Sequence, residues 1–168
     1  MLIRFTKRAS SDTIEVTRAD GSGAQFSFPH KGPTPHDAYH LAIEGELGLA
    51  RGFWGLVASG MDPADVGALA AAGGHASAKR AGVPDAGIVE LLQAERLVEC
   101  FEAESWSASE DDDGIRLMAE AGWSASHVPP LPLDGAVLAR IRQAIRGFAR
   151  EWAAIPQGST LERRWPLG

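Results

Sequence analysis

Ile14-Glu15-Val16-Thr17-Arg18-Ala19-Asp20-Gly21-Ser22-Gly23-Ala24-Gln25-Phe26-Ser27-Phe28 decides the fold class. Ile14 and Val16, then Phe26 and Phe28, are apolar at alternate positions, which puts each pair on one face of a strand. Ala19-Asp20-Gly21-Ser22-Gly23 between them is turn chemistry. Ile3 and Phe5 repeat the alternation upstream. Short turns cannot carry a parallel crossover, so an antiparallel meander of three strands is expected. Asp20-Gly21-Ser22-Gly23 is not read as a phosphate loop, because no helix follows it directly.

Outward from this meander the chain reads as helical from Pro35 to about Gly122. One helix is expected from Pro35 to Gly48 and a second from Leu49 to Ser59. A third starts at Asp62-Pro63, an N-cap followed by proline in the first turn, and ends at Gly73-Gly74. His75 to Gly82 reads as a mobile connection. A long helix runs from Pro84-Asp85 to about Trp106, and carboxylates from Ser109 to Asp113 mark another helix start. Val128-Pro129-Pro130-Leu131-Pro132 cannot be helix. The last helix spans about Asp134 to Ala154, with an apolar stripe of Val137, Ile141, Ile145, Phe148 and Trp152. Arg140, Arg142, Arg146 and Arg150 read as its solvated face. Thr160 to Trp165 alternates again, so a fourth strand is expected. The fold class is therefore α+β: three N-terminal strands plus a C-terminal one, covered by five to six helices in a single domain.

The 168 residues are 45% apolar and 23% charged, ordinary values for a soluble globular protein. A net charge of −6 argues against a general nucleic-acid binder. The N-terminus lacks the apolar region of a signal peptide, and no stretch approaches a membrane span of about 20 residues. Cys100, the single cysteine, cannot form an internal disulfide, so a reducing cytoplasm is expected. The Ala, Gly and Arg bias suggests a bacterial genome. Open sheet edges would permit a homo-oligomer.

The chemistry concentrates in His36-Asp37-Ala38-Tyr39-His40, with Glu44 four residues on. At about 100° per residue, His36 and His40 fall in the arc of Tyr39, Ile43 and Leu47, with Asp37 and Glu44 at its edge. Histidines at i and i+4 project side by side and can share one divalent metal such as zinc. Glu44 is a candidate third ligand, and His30 another. On the long helix Glu95, Glu99 and Glu102 follow Ile88, Leu91 and Leu92 at helical spacing. They would complete a carboxylate–histidine site if the helices met. The simpler expectation is that the buried face drifts to Ala94, Leu97, Val98 and Phe101 and leaves these glutamates in water.

His36-Asp37-x-x-His40 resembles the zinc-protease helix motif with aspartate in place of glutamate. That resemblance implies two zinc ligands and an acidic residue acting on bound water. The wider pattern Pro35-His36-Asp37-x-x-His40-x-x-x-Glu44-x-x-Leu47-Gly48, followed by Gly52-Phe53-Trp54-Gly55, is similar to a group of small bacterial proteins of unknown function. With two good ligands and an open third, the sequence favours a non-catalytic domain binding a protein or small ligand, its histidines packed and hydrogen-bonded. The alternative is a metal-dependent enzyme, such as a hydrolase, with His36 and His40 as ligands.

Overall fold

In the computed structural model, the described residues are the whole chain apart from 31, 73–82, 108–109 and 168. The described elements are β1 (Leu2–Thr6), β2 (Ser11–Thr17), β3 (Gly23–Pro29), α1 (His36–Leu47), α2 (Phe53–Ala58) and α3 (Pro63–Ala72). They continue with α4 (Val89–Ser107), α5 (Asp112–Ala125), α6 (Gly135–Ala154) and β4 (Thr160–Arg164). The strands form one antiparallel sheet in the order β3-β2-β1-β4, so the C-terminal strand closes on the first.

The register explains the alternation. Phe5 lies opposite Ile14 on one side and Leu161 on the other, and Ile14 lies opposite Phe26. These residues share the covered face. Ile3, Phe5 and Ile14 are fully buried. Asp12 stands on the same face, opposite Phe28, and is also buried. Edge-on aromatic contacts join Phe5 to Trp54, Phe148 and Trp152 at centroid distances of 6.1, 5.0 and 6.5 Å. Residues of α1, α2 and α6 thus cover the sheet.

α1 lies between two cores. Ala38 joins the sheet-side core, while Tyr39 and Ile43 pack with Leu97, Phe101, Trp123 and Ile141 of α4, α5 and α6. A helix buried on both sides has little use for a polar face. Its polar residues must therefore find partners inside the protein.

Several boundaries differ from the sequence expectation. α2 starts at Phe53 because Gly48 turns left-handed (φ 68°) and Gly52 is extended, so residues 49–52 form the connection. The long helix opens with a single 3-10 turn, Ala86–Ile88, before α4 proper. Gly87, a poor helix former, sits in that turn. The start of α5 is capped as expected, with the Asp111 carboxylate accepting from Asp113 N. Gly73-Gly74, the connection His75 to Gly82, and Ser109 lie outside the described residues. The arginines of α6 do not form a uniform solvated face. Arg142 is buried and donates to Glu104 at 2.8 and 2.9 Å and to Asp112. No helix among the described residues is long and apolar enough to cross a membrane.

Phe5 is the contact point between sheet and helices. Phe5→Ala is expected to cost about 3–5 kcal/mol in urea-induced unfolding, the usual range for emptying a core aromatic site. A loss under about 1 kcal/mol would mean that the sheet-side core can close over the gap.

Candidate metal centre

α1 begins without a side-chain cap, because its N-cap is Pro35. The proline fixes the entry of the chain and His36 opens the first turn. One turn on, His40 is almost completely buried, 1% exposed, and Glu44 is fully buried a turn further. His36 is partly exposed.

Each histidine has a carboxylate on its Nδ1. Glu102 Oε1 lies 2.9 Å from His36 Nδ1, and Glu44 Oε1 lies 2.9 Å from His40 Nδ1. The opposite ring nitrogens converge, with His36 Nε2 and His40 Nε2 3.2 Å apart. Glu95 supplies the third group from α4. Its Oε2 lies 3.5 Å from His40 Nε2 and 3.8 Å from His36 Nε2. Among the described residues, His36, His40 and Glu95 are the set whose donor atoms cluster closely enough to hold one ion.

Glu44 has a different task from the one expected of it. Its Oε1 accepts from Phe53 N at 2.8 Å and its Oε2 from Trp54 N at 2.9 Å. The carboxylate of α1 therefore caps the N-terminus of α2 and orients His40 at the same time. A glutamate holding two amides and an imidazole is not placed as a first ligand. Gly52 is glycine for the same reason, since a Cβ there would overlap the Glu44 carboxylate. The indole of Trp54 donates back to Asp37 O at 2.9 Å, closing the link between the two helices.

The other predicted residues divide. Of the three glutamates expected in water, Glu95 is buried against the histidines and Glu102 meets His36. Glu99 turns away and forms a two-pronged pair with Arg96, both contacts at 2.9 Å. It is half exposed and does not join the donor cluster. The apolar drift to Ala94, Leu97, Val98 and Phe101 is present too, because α4 is buried over most of its circumference. His30 is not part of the cluster either, and its Nε2 lies 3.0 Å from Asp12 Oδ1. Asp12 drew no attention as a sequence feature. The available signal was its place two residues before Ile14, which puts a carboxylate on the covered face of β2.

The electrostatics are those of a crowded ionic cluster. Burial opposes charge on His36, but the Glu102 and Glu95 carboxylates outweigh it and raise its pKa from 6.5 to about 9. Burial likewise opposes charge on His40, and Glu95 and Glu44 lift it well above the ordinary histidine value. Burial pushes the Glu44 carboxyl up, against the pull of His40 and the backbone donors. Asp37 is pushed up by burial, moderated by both histidines. The two Nε2 atoms form a hydrogen bond when one carries the proton and the other keeps its lone pair. A divalent cation in place of that shared proton would be held by both Nε2 lone pairs, with the Glu95 carboxylate beside them. Cys100 takes no part; burial pushes its thiol up to about 11, which leaves little thiolate.

Replacing Glu44 with alanine is expected to cost about 3–5 kcal/mol, because it strands His40 and two buried amides. Glu44→Gln keeps an acceptor and is expected to lose less. Denaturant unfolding measures the cost, and hydrogen exchange at the Phe53 and Trp54 amides should accelerate in parallel. Unchanged exchange at those amides would contradict the capping role.

No protein-family model matches the chain, and no curated protein or solved structure is similar to it at a significant level.

Proposed function

We propose that this chain binds one divalent ion through His36 Nε2, His40 Nε2 and Glu95 Oε2, and uses the remaining coordination position to hydrolyse a small substrate. The observation that carries the proposal is the set of donor separations, 3.2, 3.5 and 3.8 Å. A tetrahedral ion with bonds of about 2.0–2.1 Å holds its ligands about 3.4 Å apart. Neighbouring ligands on an octahedral ion of the same bond length would lie about 3.0 Å apart. The mean spacing favours the tetrahedral, zinc-like case.

Two further features support it. Both Nδ1 atoms face carboxylates, the arrangement that fixes ring orientation and strengthens imidazole as a ligand. Three protein ligands with one position left over are the mark of a catalytic zinc site, since structural sites close with four. A zinc ion there would lower the pKa of a bound water to about 7. Asp37, next in the chain to His36 and lining the pocket beside it, is the group available to exchange a proton with that water.

A second reading has its own observation. The double cap by Glu44 gives His40 a structural partner whether or not a metal binds. On that reading the protein is a non-catalytic binding domain and the cluster is an internal hydrogen-bond network.

Elemental analysis of protein purified without an affinity tag separates the two. The metal reading expects about one divalent ion per chain, lost in His36→Ala/His40→Ala, and retained about 10–100-fold more weakly in Glu102→Ala. Added zinc at 100 times its dissociation constant should stabilise the wild type by about 2.7 kcal/mol. A metal-free wild type whose stability ignores zinc, manganese and iron would leave the non-catalytic reading.

A further inference from the structure

Beside the histidine pair lies a pocket of ≈350 Å³, whose lining includes His36, Glu102, Asp12, His30, Phe28 and Trp106. His36 is the one member of the donor cluster on that wall, so a ligand held at the cluster extends from His36 into the pocket. A sphere of this volume is roughly 9 Å across, room for roughly a dozen non-hydrogen atoms. Phe28, Pro29, Pro33 and Trp106 give it apolar and aromatic walls. The described lining residues include four acidic ones, Asp12, Asp37, Glu99 and Glu102, which disfavour an anionic ligand body.

His30 is a polar group of this pocket that lies outside the donor cluster. It follows the last residue of β3, and its side chain is 41% exposed. Its Nε2 lies 3.0 Å from the buried Asp12, whose Oδ1 also accepts from Arg8 N at 2.8 Å. Asp12 is thereby fixed by the β1–β2 turn and held on the covered face of the sheet, where a carboxylate has no packing role. A carboxylate beside Nε2 favours the proton on that nitrogen. In the neutral ring that tautomer keeps the lone pair on Nδ1, an acceptor. The same division of labour, one ring nitrogen against a buried aspartate and the other facing the ligand, serves the histidine of catalytic triads.

We infer that His30, oriented by Asp12, receives a hydrogen-bond donor on a small, uncharged or cationic ligand with an apolar body, whose other end sits at His36. The inference rests on the metal reading given above and names the substrate class of that site. His30 then sets specificity through hydrogen bonding to the ligand and leaves ion binding to the cluster.

The test uses the full chain loaded with one zinc ion and two probes, benzohydroxamate and 4-hydroxybenzohydroxamate. Each chelates zinc through its hydroxamate, and the second carries a phenol donor at the far end. Calorimetric titration is expected to show the hydroxyl tightening binding about three- to tenfold in the wild type, the size of one net hydrogen bond. In His30→Ala that gain should vanish while zinc stoichiometry stays at one. An equal gain in His30→Ala, no gain in the wild type, or loss of zinc from His30→Ala would each overturn the inference. A wild type that binds no zinc would instead defeat the metal reading, and the inference would fall with it. Zinc binding without a hydroxyl gain defeats the inference alone.

Discussion

The Glu44 carboxylate is the constraint on which the rest of this structure depends. It is fully buried, it caps α2 through Phe53 N and Trp54 N, and it fixes His40 through Nδ1. Burying a carboxylate is costly unless both of its oxygens are hydrogen-bonded. Three donors on two oxygens meet that requirement. Once they do, α2 must start at Phe53, residue 52 must be glycine, and Phe53 must lie over His40, with their ring centroids 5.7 Å apart. His40 Nε2 is then aimed away from α2 and toward α4. The position of the proposed ion follows from a helix cap.

α1 is central to both the fold and the site for one reason. Its small and apolar side chains serve two cores at once, so His40 and Glu44 are buried and His36 is only partly exposed. The protein answers this with paired groups: His40 with Glu44, His36 with Glu102, and Glu95 between the two rings. One protonated and one unprotonated Nε2 make the 3.2 Å contact between the rings a hydrogen bond, and the same two nitrogens have the spacing that would let them share an ion.

The alternation of Ile3, Phe5, Ile14, Val16 and Phe26 was enough to read the sheet, because one buried face imposes a strict period of two. The histidine arc on α1 was legible for the corresponding reason, a period near 3.6. Glu95 was legible as a candidate and misjudged as solvated. On α4 its direction is shared with Glu99 and Glu102 to within a fraction of a turn, and pattern alone cannot say which of the three meet α1. Glu95 and Glu102 do, while Glu99 pairs with Arg96. The bonds of Glu44 to Phe53 N and Trp54 N were not legible, because backbone donors leave no trace in sequence. Arg142 was misread in the same way: its burial depends on Glu104 and Asp112, which come from other helices.

The most direct test of a tetrahedral ion between α1 and α4 is zinc K-edge X-ray absorption on the one-zinc protein. The account predicts a first shell of four nitrogen or oxygen neighbours at about 2.0–2.1 Å, with the outer-shell scattering of two imidazoles. That scattering should be lost in His36→Ala/His40→Ala. A sulfur neighbour at about 2.3 Å, which Cys100 would supply, or a spectrum that the double substitution leaves unchanged, would contradict it.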